Sequence, residues 1–121
     1  GKMSASDKKS KIDVLDSKKE IFSKVNKAYC PAGKLKDNGV LALIEHVIFP
    51  LKGSFIVERP KNYGGNLKFR SYESLKKIFV EKKLHPADLK QQLGKDINQL
   101  LEPIRKFMKS KEKIIKKAYL E

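Results

Sequence analysis

Residues 85–104 read His85-Pro86-Ala87-Asp88-Leu89-Lys90-Gln91-Gln92-Leu93-Gly94-Lys95-Asp96-Ile97-Asn98-Gln99-Leu100-Leu101-Glu102-Pro103-Ile104. Leu89, Leu93, Ile97, Leu100, Leu101 and Ile104 recur with helical spacing and form one apolar stripe. Pro86 suits the first helical position, where its missing N–H would be unpaired anyway. Asp88 falls in the first turn, where the helix dipole favours an acid. Pro103 removes a backbone donor late in the pattern and predicts a kink. Beyond it, residues 109–121 form a basic tail with Ile114, Ile115, Ala118 and Tyr119 at helical spacing. That tail is short, and its apolar residues are too few for a membrane-surface helix.

Upstream, Ser71 is placed to cap a helix with Leu75, Ile78 and Phe79 inward. Phe55-Ile56-Val57 is β-prone, Asn62-Tyr63-Gly64-Gly65-Asn66 is a turn, and Leu67 to Phe69 can supply a second strand. The gap is too long for a tight hairpin, so the loop is predicted to be shaped for a task. Asn38 or Asp37 caps a helix in which Val40, Leu41, Leu43, Ile44, Val47, Ile48 and Phe49 cover most of the circumference. Such a helix is largely buried, and Pro50 and Gly53 should end it. His46 on that face reads as a satisfied core histidine. Ser17 and Glu20 have capping-box spacing and open a helix bearing Ile21, Phe22, Val25, Ala28 and Tyr29, stopped by Pro31 and Gly33. Tyr29 and Tyr72 read as core aromatics and Cys30 as a packing residue at a helix end. The fold class is therefore mainly α, with one small two-stranded β element.

At 121 residues with 40% apolar content, the chain suits one domain with a hydrophobic core. Its longest apolar run, Val40 to Leu51, is interrupted by Glu45, His46 and Pro50 and cannot span a bilayer. A single cysteine excludes an internal disulfide, and with two histidines it argues against a zinc site. No metal is expected. The formal net charge is +14, from 28 Lys+Arg against 14 Asp+Glu. That much self-repulsion in a small domain favours a polyanionic partner, nucleic acid first. The plain alternative is a lysine-rich composition, since all but three of the 28 cations are lysine.

Several segments resemble a known family. Lys2-Met3-Ser4-Ala5-Ser6 resembles the KMSKS loop of class I aminoacyl-tRNA synthetases. Asn26 to Pro31, Asn38 to Leu41, His46 to Leu51, Tyr63 to Asn66, Ser71 to Leu75, Leu84 to Lys90 and Leu101 to Lys106 resemble, in order and spacing, tyrosyl-tRNA synthetases of the archaeal and eukaryotic kind. The resemblance implies the C-terminal part of such an enzyme. Residues 1–16 would be the ATP loop and linker, and residues 17–121 the helical anticodon-binding domain. The catalytic Rossmann domain would lie upstream, leaving this stretch alone inactive. The implied parent is a cytoplasmic homodimer that activates tyrosine with ATP and magnesium and transfers it to tRNA(Tyr). No cofactor is expected on this stretch, and no membrane. The rival is a non-catalytic basic RNA-binding or regulatory module that has kept the fold.

The same resemblance assigns roles. Lys2 would meet the ATP phosphates, with Ser4 and Ser6 supporting the loop; Ala5 departs from the motif's lysine, which puts a second phosphate contact in doubt. Asp88 would read the first anticodon base, guanine, whose two neighbouring N–H donors match a carboxylate's two acceptors. His85 would lie against that base and Tyr63 would stack on it. Taken without the resemblance, Asp88 is a first-turn acid, His85 a capping neighbour of Pro86, and Tyr63 a loop-packing aromatic. Arg59, Lys61, Lys68 and Arg70 flank the Tyr63 turn as candidate phosphate contacts, or as a solvated face.

Overall fold

The computed structural model describes residues 11–119. Its helices are α1 (Lys18–Lys27), α2 (Gly39–Leu43), α3 (Phe49–Lys52), α4 (Tyr72–Val80) and α5 (Pro86–Tyr119), with strands β1 (Phe55–Val57) and β2 (Leu67–Phe69) between α3 and α4. The strands pair antiparallel, with Phe55 opposite Phe69 and Val57 opposite Leu67. Phe55, Val57 and Phe69 point into the core while Ile56 and Lys68 face outward, as the strand's two-residue period requires. The core joins Ile21, Val25, Val40, Leu41, Ile44, Ile48, Phe55, Leu75, Phe79, Leu84, Leu89 and Leu93, each nearly or wholly sealed from solvent.

The caps follow from the local sequence. Ser17 and Glu20 form a reciprocal capping box at α1. Asn38 Oδ1 accepts from the Leu41 N–H, and Ser71 Oγ accepts from the Ser74 N–H. Asn38 also donates from Nδ2 to Cys30 Sγ and to the Lys34 carbonyl. Cys30 is thus buried packing, and that burial pushes its thiol pKa up, keeping it protonated and unreactive.

Three sequence expectations are corrected. Pro50 does not end its helix. Instead Ile44–Ile48 widens into a π-helical turn in which the Phe49 N–H reaches back to the Ile44 carbonyl. Such widening relieves the clash that a proline ring makes with the carbonyl four residues earlier. The chain then continues to Lys52 and stops at Gly53, whose φ of 77° suits glycine. Second, His46 is not in the core but lies in solvent beside Glu45, 3.3 Å away: Ile44 and Ile48, one turn apart, hold the buried face, and His46, midway between them, points away from it. Third, Tyr29 is not a core aromatic. Helical geometry ends at Ala28, with ψ of 145°, so the spacing that would have buried Tyr29 no longer applies and it stays exposed. Tyr72 packs half-buried against the core as expected.

Helix α5 is the frame. It runs unbroken past Pro103, so the basic tail is its own continuation. α1 lies against it closely enough that a Cβ on Gly94 would come within 2.8 Å of the Phe22 ring. Two buried acids tie other segments to the frame. Asp96 accepts from Lys52 Nζ at 3.2 Å and Gln92 Nε2 at 2.9 Å. Asp16 accepts from Lys24 Nζ at 2.7 Å and from the Asp13 N–H at 2.9 Å, while its carbonyl accepts from Arg105 Nη1. Burial by itself would raise the Asp16 pKa, but the Lys24 and Asp13 hydrogen bonds and the Lys24 charge outweigh it and hold the carboxyl below its ordinary value. A depressed carboxylate stabilises the fold above the unfolded-state range of about 4 and loses that contribution as pH falls through it and into the folded value. The stability gap between wild type and Asp16→Asn should therefore be widest at neutral pH and shrink on acidification. Thermal melts of both proteins across the acid range check this; a gap that widens toward low pH would refute it.

Candidate tRNA anticodon interface

The site is built from two places that are distant in sequence. One is the β1–β2 connection. After Pro60 the chain makes a short 3-10 turn, Lys61–Tyr63, then takes positive φ at Gly64 (100°) and Gly65 (75°). An ordinary residue at Gly64 would also meet Arg59 Nη2 at 2.7 Å. This turn lifts Tyr63 into solvent, where it is 70% exposed. Such exposure leaves aromatic surface open for stacking.

The other place is the α4–α5 junction. The Lys83 N–H bonds the Ile78 carbonyl and the Lys82 N–H the Phe79 carbonyl, closing α4 with Lys82 in the left-handed region at φ 61°. The chain reverses there and enters α5 through His85. His85 Nδ1 accepts from the Ala87 N–H at 3.0 Å and caps the helix. The neutral ring therefore carries its proton on Nε2. Asp88 follows one turn in, its backbone N–H bonded to the His85 carbonyl.

Arg59 holds the two places together. Its Nε donates to the Gly65 carbonyl at 2.8 Å and its Nη1 to the Lys83 carbonyl at 3.4 Å, and its backbone N–H reaches Asn66 Oδ1. Two of its guanidinium N–H groups are thus used within the protein, so it braces the site while other donors on the same fork face outward from those bonds. The result is a cleft of about 370 Å³ lined by Ala32, Arg59, Tyr63, Lys82, Lys83, Leu84, His85, Pro86 and Asp88. A second, polar cleft of about 400 Å³ shares Arg59 and Asp88 and continues along Gln91, Gln92 and Lys95. A half-buried carboxylate beside an exposed aromatic, an imidazole and two lysines can hold a flat, hydrogen-bonding ring next to an anionic backbone.

The match of known proteins bears on that geometry. The family model for tRNA synthetases class I (W and Y) matches residues 1–102. The chain belongs to that family. A tyrosine–tRNA ligase of Haloarcula marismortui is 45% identical over 125 residues, covering all of this chain and 36% of that relative. The cytoplasmic tyrosine–tRNA ligase of Gallus gallus is 45% identical over 98% of this chain and 23% of its own length. A tyrosyl-tRNA synthetase of Pyrococcus horikoshii, solved with L-tyrosine, has a TM-score of 0.84 at 40% identity, over 91% of this chain and 30% of that one. The chain thus spans about a third or less of these relatives.

Of the residues singled out in this class I chain, Tyr63, His85, Asp88 and Arg59 are brought together. Lys61, Lys68 and Arg70 are exposed on the same β element but do not line the cleft. Lys2, Ser4 and Ser6 lie outside the described residues. Sequence reasoning missed Lys82 and Lys83. Their only signal was a lysine pair directly before Leu84-His85, inconspicuous among so many lysines. Among the described residues no cluster of His, Cys, Asp or Glu could hold a metal, and no helix is long and apolar enough to cross a membrane.

Proposed function

We propose that this chain is the anticodon-holding part of a tyrosine–tRNA ligase of the archaeal and eukaryotic type. The observation that carries this is the convergence of Tyr63, from the β1–β2 connection, and His85 and Asp88, from the start of α5, on one cleft braced by Arg59. In this reading Tyr63 stacks on the first anticodon base, His85 lies against it, and the Asp88 oxygens accept from guanine's paired N–H donors. Lys82 and Lys83 inside the cleft, with Lys61, Lys68 and Arg70 around it, meet the phosphates. The parent enzyme, a cytoplasmic homodimer, joins tyrosine to tRNA(Tyr) at the expense of ATP. Its adenylation step, with ATP and magnesium, falls to the Lys2–Ser6 loop and the catalytic domain. This part of the chain holds and selects the tRNA and supplies neither nucleophile nor general base.

Most of the binding free energy should be phosphate neutralisation with counterion release. Affinity for a tyrosine tRNA anticodon stem-loop should therefore fall by about tenfold or more between roughly 50 and 200 mM salt. Lys61→Ala should weaken stem-loops of every anticodon about equally, because phosphates carry no sequence. Titration by fluorescence anisotropy at several salt concentrations checks both. A loss smaller than about threefold over that salt range would sink the electrostatic account.

A further inference from the structure

The site occupies only the N-terminal end of α5. The other end, about 50 Å away at 1.5 Å per residue, carries a different surface. Leu101, Ile104, Met108, Lys111, Ile115 and Ala118 follow each other at alternating steps of three and four, the spacing of a heptad seam. Phe107 and Ile114 border it and widen the apolar face to that of a helix in a bundle. The seam is a continuation of the one that Gly94 and Ile97 present further up the helix, where Gly94 is packed beneath Phe22 of α1. Beyond the reach of α1 none of the described residues covers this face: Ile104, Phe107, Met108, Ile114 and Ile115 are all exposed. Lys111, the one charge on the seam, bends over the Phe107 ring, its Nζ 5.5 Å from the centroid. On one flank lies a groove of about 790 Å³ lined by Leu15 and Ser17 and, from α5, by Met108 and Ile115. Arg105, Lys106, Lys109, Lys111 and Lys116 also line it, five cations against two acids, Glu102 and Glu112.

We infer that this half of α5 is a docking face for an acidic amphipathic helix of a partner protein. The seam spacing selects a helix. The charge selects its sign: seven Lys and Arg stand against a single Glu between Pro103 and Tyr119. A second copy of this chain carries the same sign and would be repelled, and residues 1–10, with three lysines and one aspartate, are no better matched. An RNA backbone would leave the apolar residues without use. A lipid surface would favour a convex apolar face, whereas Leu15 and Ser17 make this one concave.

The test titrates the full chain with two labelled synthetic helices of equal length. Both carry leucine at a and d; one has glutamate flanks, the other lysine flanks. The glutamate helix should bind at least about tenfold tighter than the lysine helix. Met108→Ser with Ile115→Ser, both at exposed positions, should weaken it about tenfold while leaving the melting temperature and anticodon stem-loop binding unchanged. Leu51→Ser, at an exposed site on α3, should leave peptide binding as it was. The proposal is overturned if the double variant binds the glutamate helix as wild type does, which would mean charge alone. It is also overturned if the two helices bind alike, if phosphatidylserine vesicles capture the chain and neither helix does, or if the chain self-associates through this face in sedimentation.

Discussion

Asp88→Ala should cost the anticodon interface about 1–3 kcal/mol of its preference for guanine over adenine at the first anticodon position. Adenine offers an acceptor where guanine has its N1–H, so a carboxylate that accepts from guanine opposes adenine. Removing the carboxylate abolishes both effects. The geometry makes the change clean. Asp88 sits one turn into α5, where His85 Nδ1 already caps the Ala87 N–H, so the helix start does not depend on the aspartate's side chain. If Asp88 served only the helix dipole, its loss would lower stability by roughly 0.3–1 kcal/mol and leave base preference intact. Tyr63→Ala is the contrasting variant. It should lose roughly 1–3 kcal/mol of stacking with every base alike, because any base offers a π-face. The measurement is a titration of wild type and both variants with stem-loops carrying G or A at that position. It should be made in the parent enzyme as well as in this chain. A folded Asp88→Ala protein with an unchanged G/A ratio would remove the carboxylate from the readout.

Phe55→Ala should destabilise the domain by about 3–5 kcal/mol. Phe55 has no exposed surface, faces Phe69 across the two-stranded element, and lies where β1 meets α5. Truncation leaves a phenyl-sized void that the surrounding helices cannot close, and the lost dispersion contacts add to the lost apolar burial. Ile56→Ala, one residue along, is the control. Its side chain faces outward and is 41% exposed, so its loss should cost well under half as much. Urea unfolding of the three proteins gives both differences. Equal destabilisation by the two variants would mean that the strand's facing has been misassigned.

The elements themselves were legible because each has a local cause. The Ser17–Glu20 box, Asn38 and Ser71 caps bond donors within three residues of themselves, and Pro86 sets its own φ. The α5 stripe and the alternation of β1 are periodic, so they show in the sequence however the rest of the chain is arranged. Tyr63, His85 and Asp88 were legible for another reason: they stand inside segments that resemble tyrosyl-tRNA synthetases. Local rules by themselves offered an ordinary turn and an ordinary helix start.

What those rules could not supply depends on contacts between distant residues. His46 reads as interior on a regular helix. Packing took the face that carries Val40, Ile44 and Ile48 into the core, and His46, about half a turn from Ile44 and Ile48, was left in solvent. Arg59 reads as one more cation beside a turn. Only the approach of Lys83, 24 residues away, makes it the brace of the cleft. Asp16 and Asp96 carry no signal in the sequence; only the fold buries them and brings Lys24 and Lys52 against them. Sequence by itself thus determined a basic, mainly helical domain and the positions of its caps and stripes, because hydrogen bonds and periodicity act within one or two turns. Tertiary structure decided which charges are struts and which are free, because burying a charge requires a partner that only the folded chain brings near.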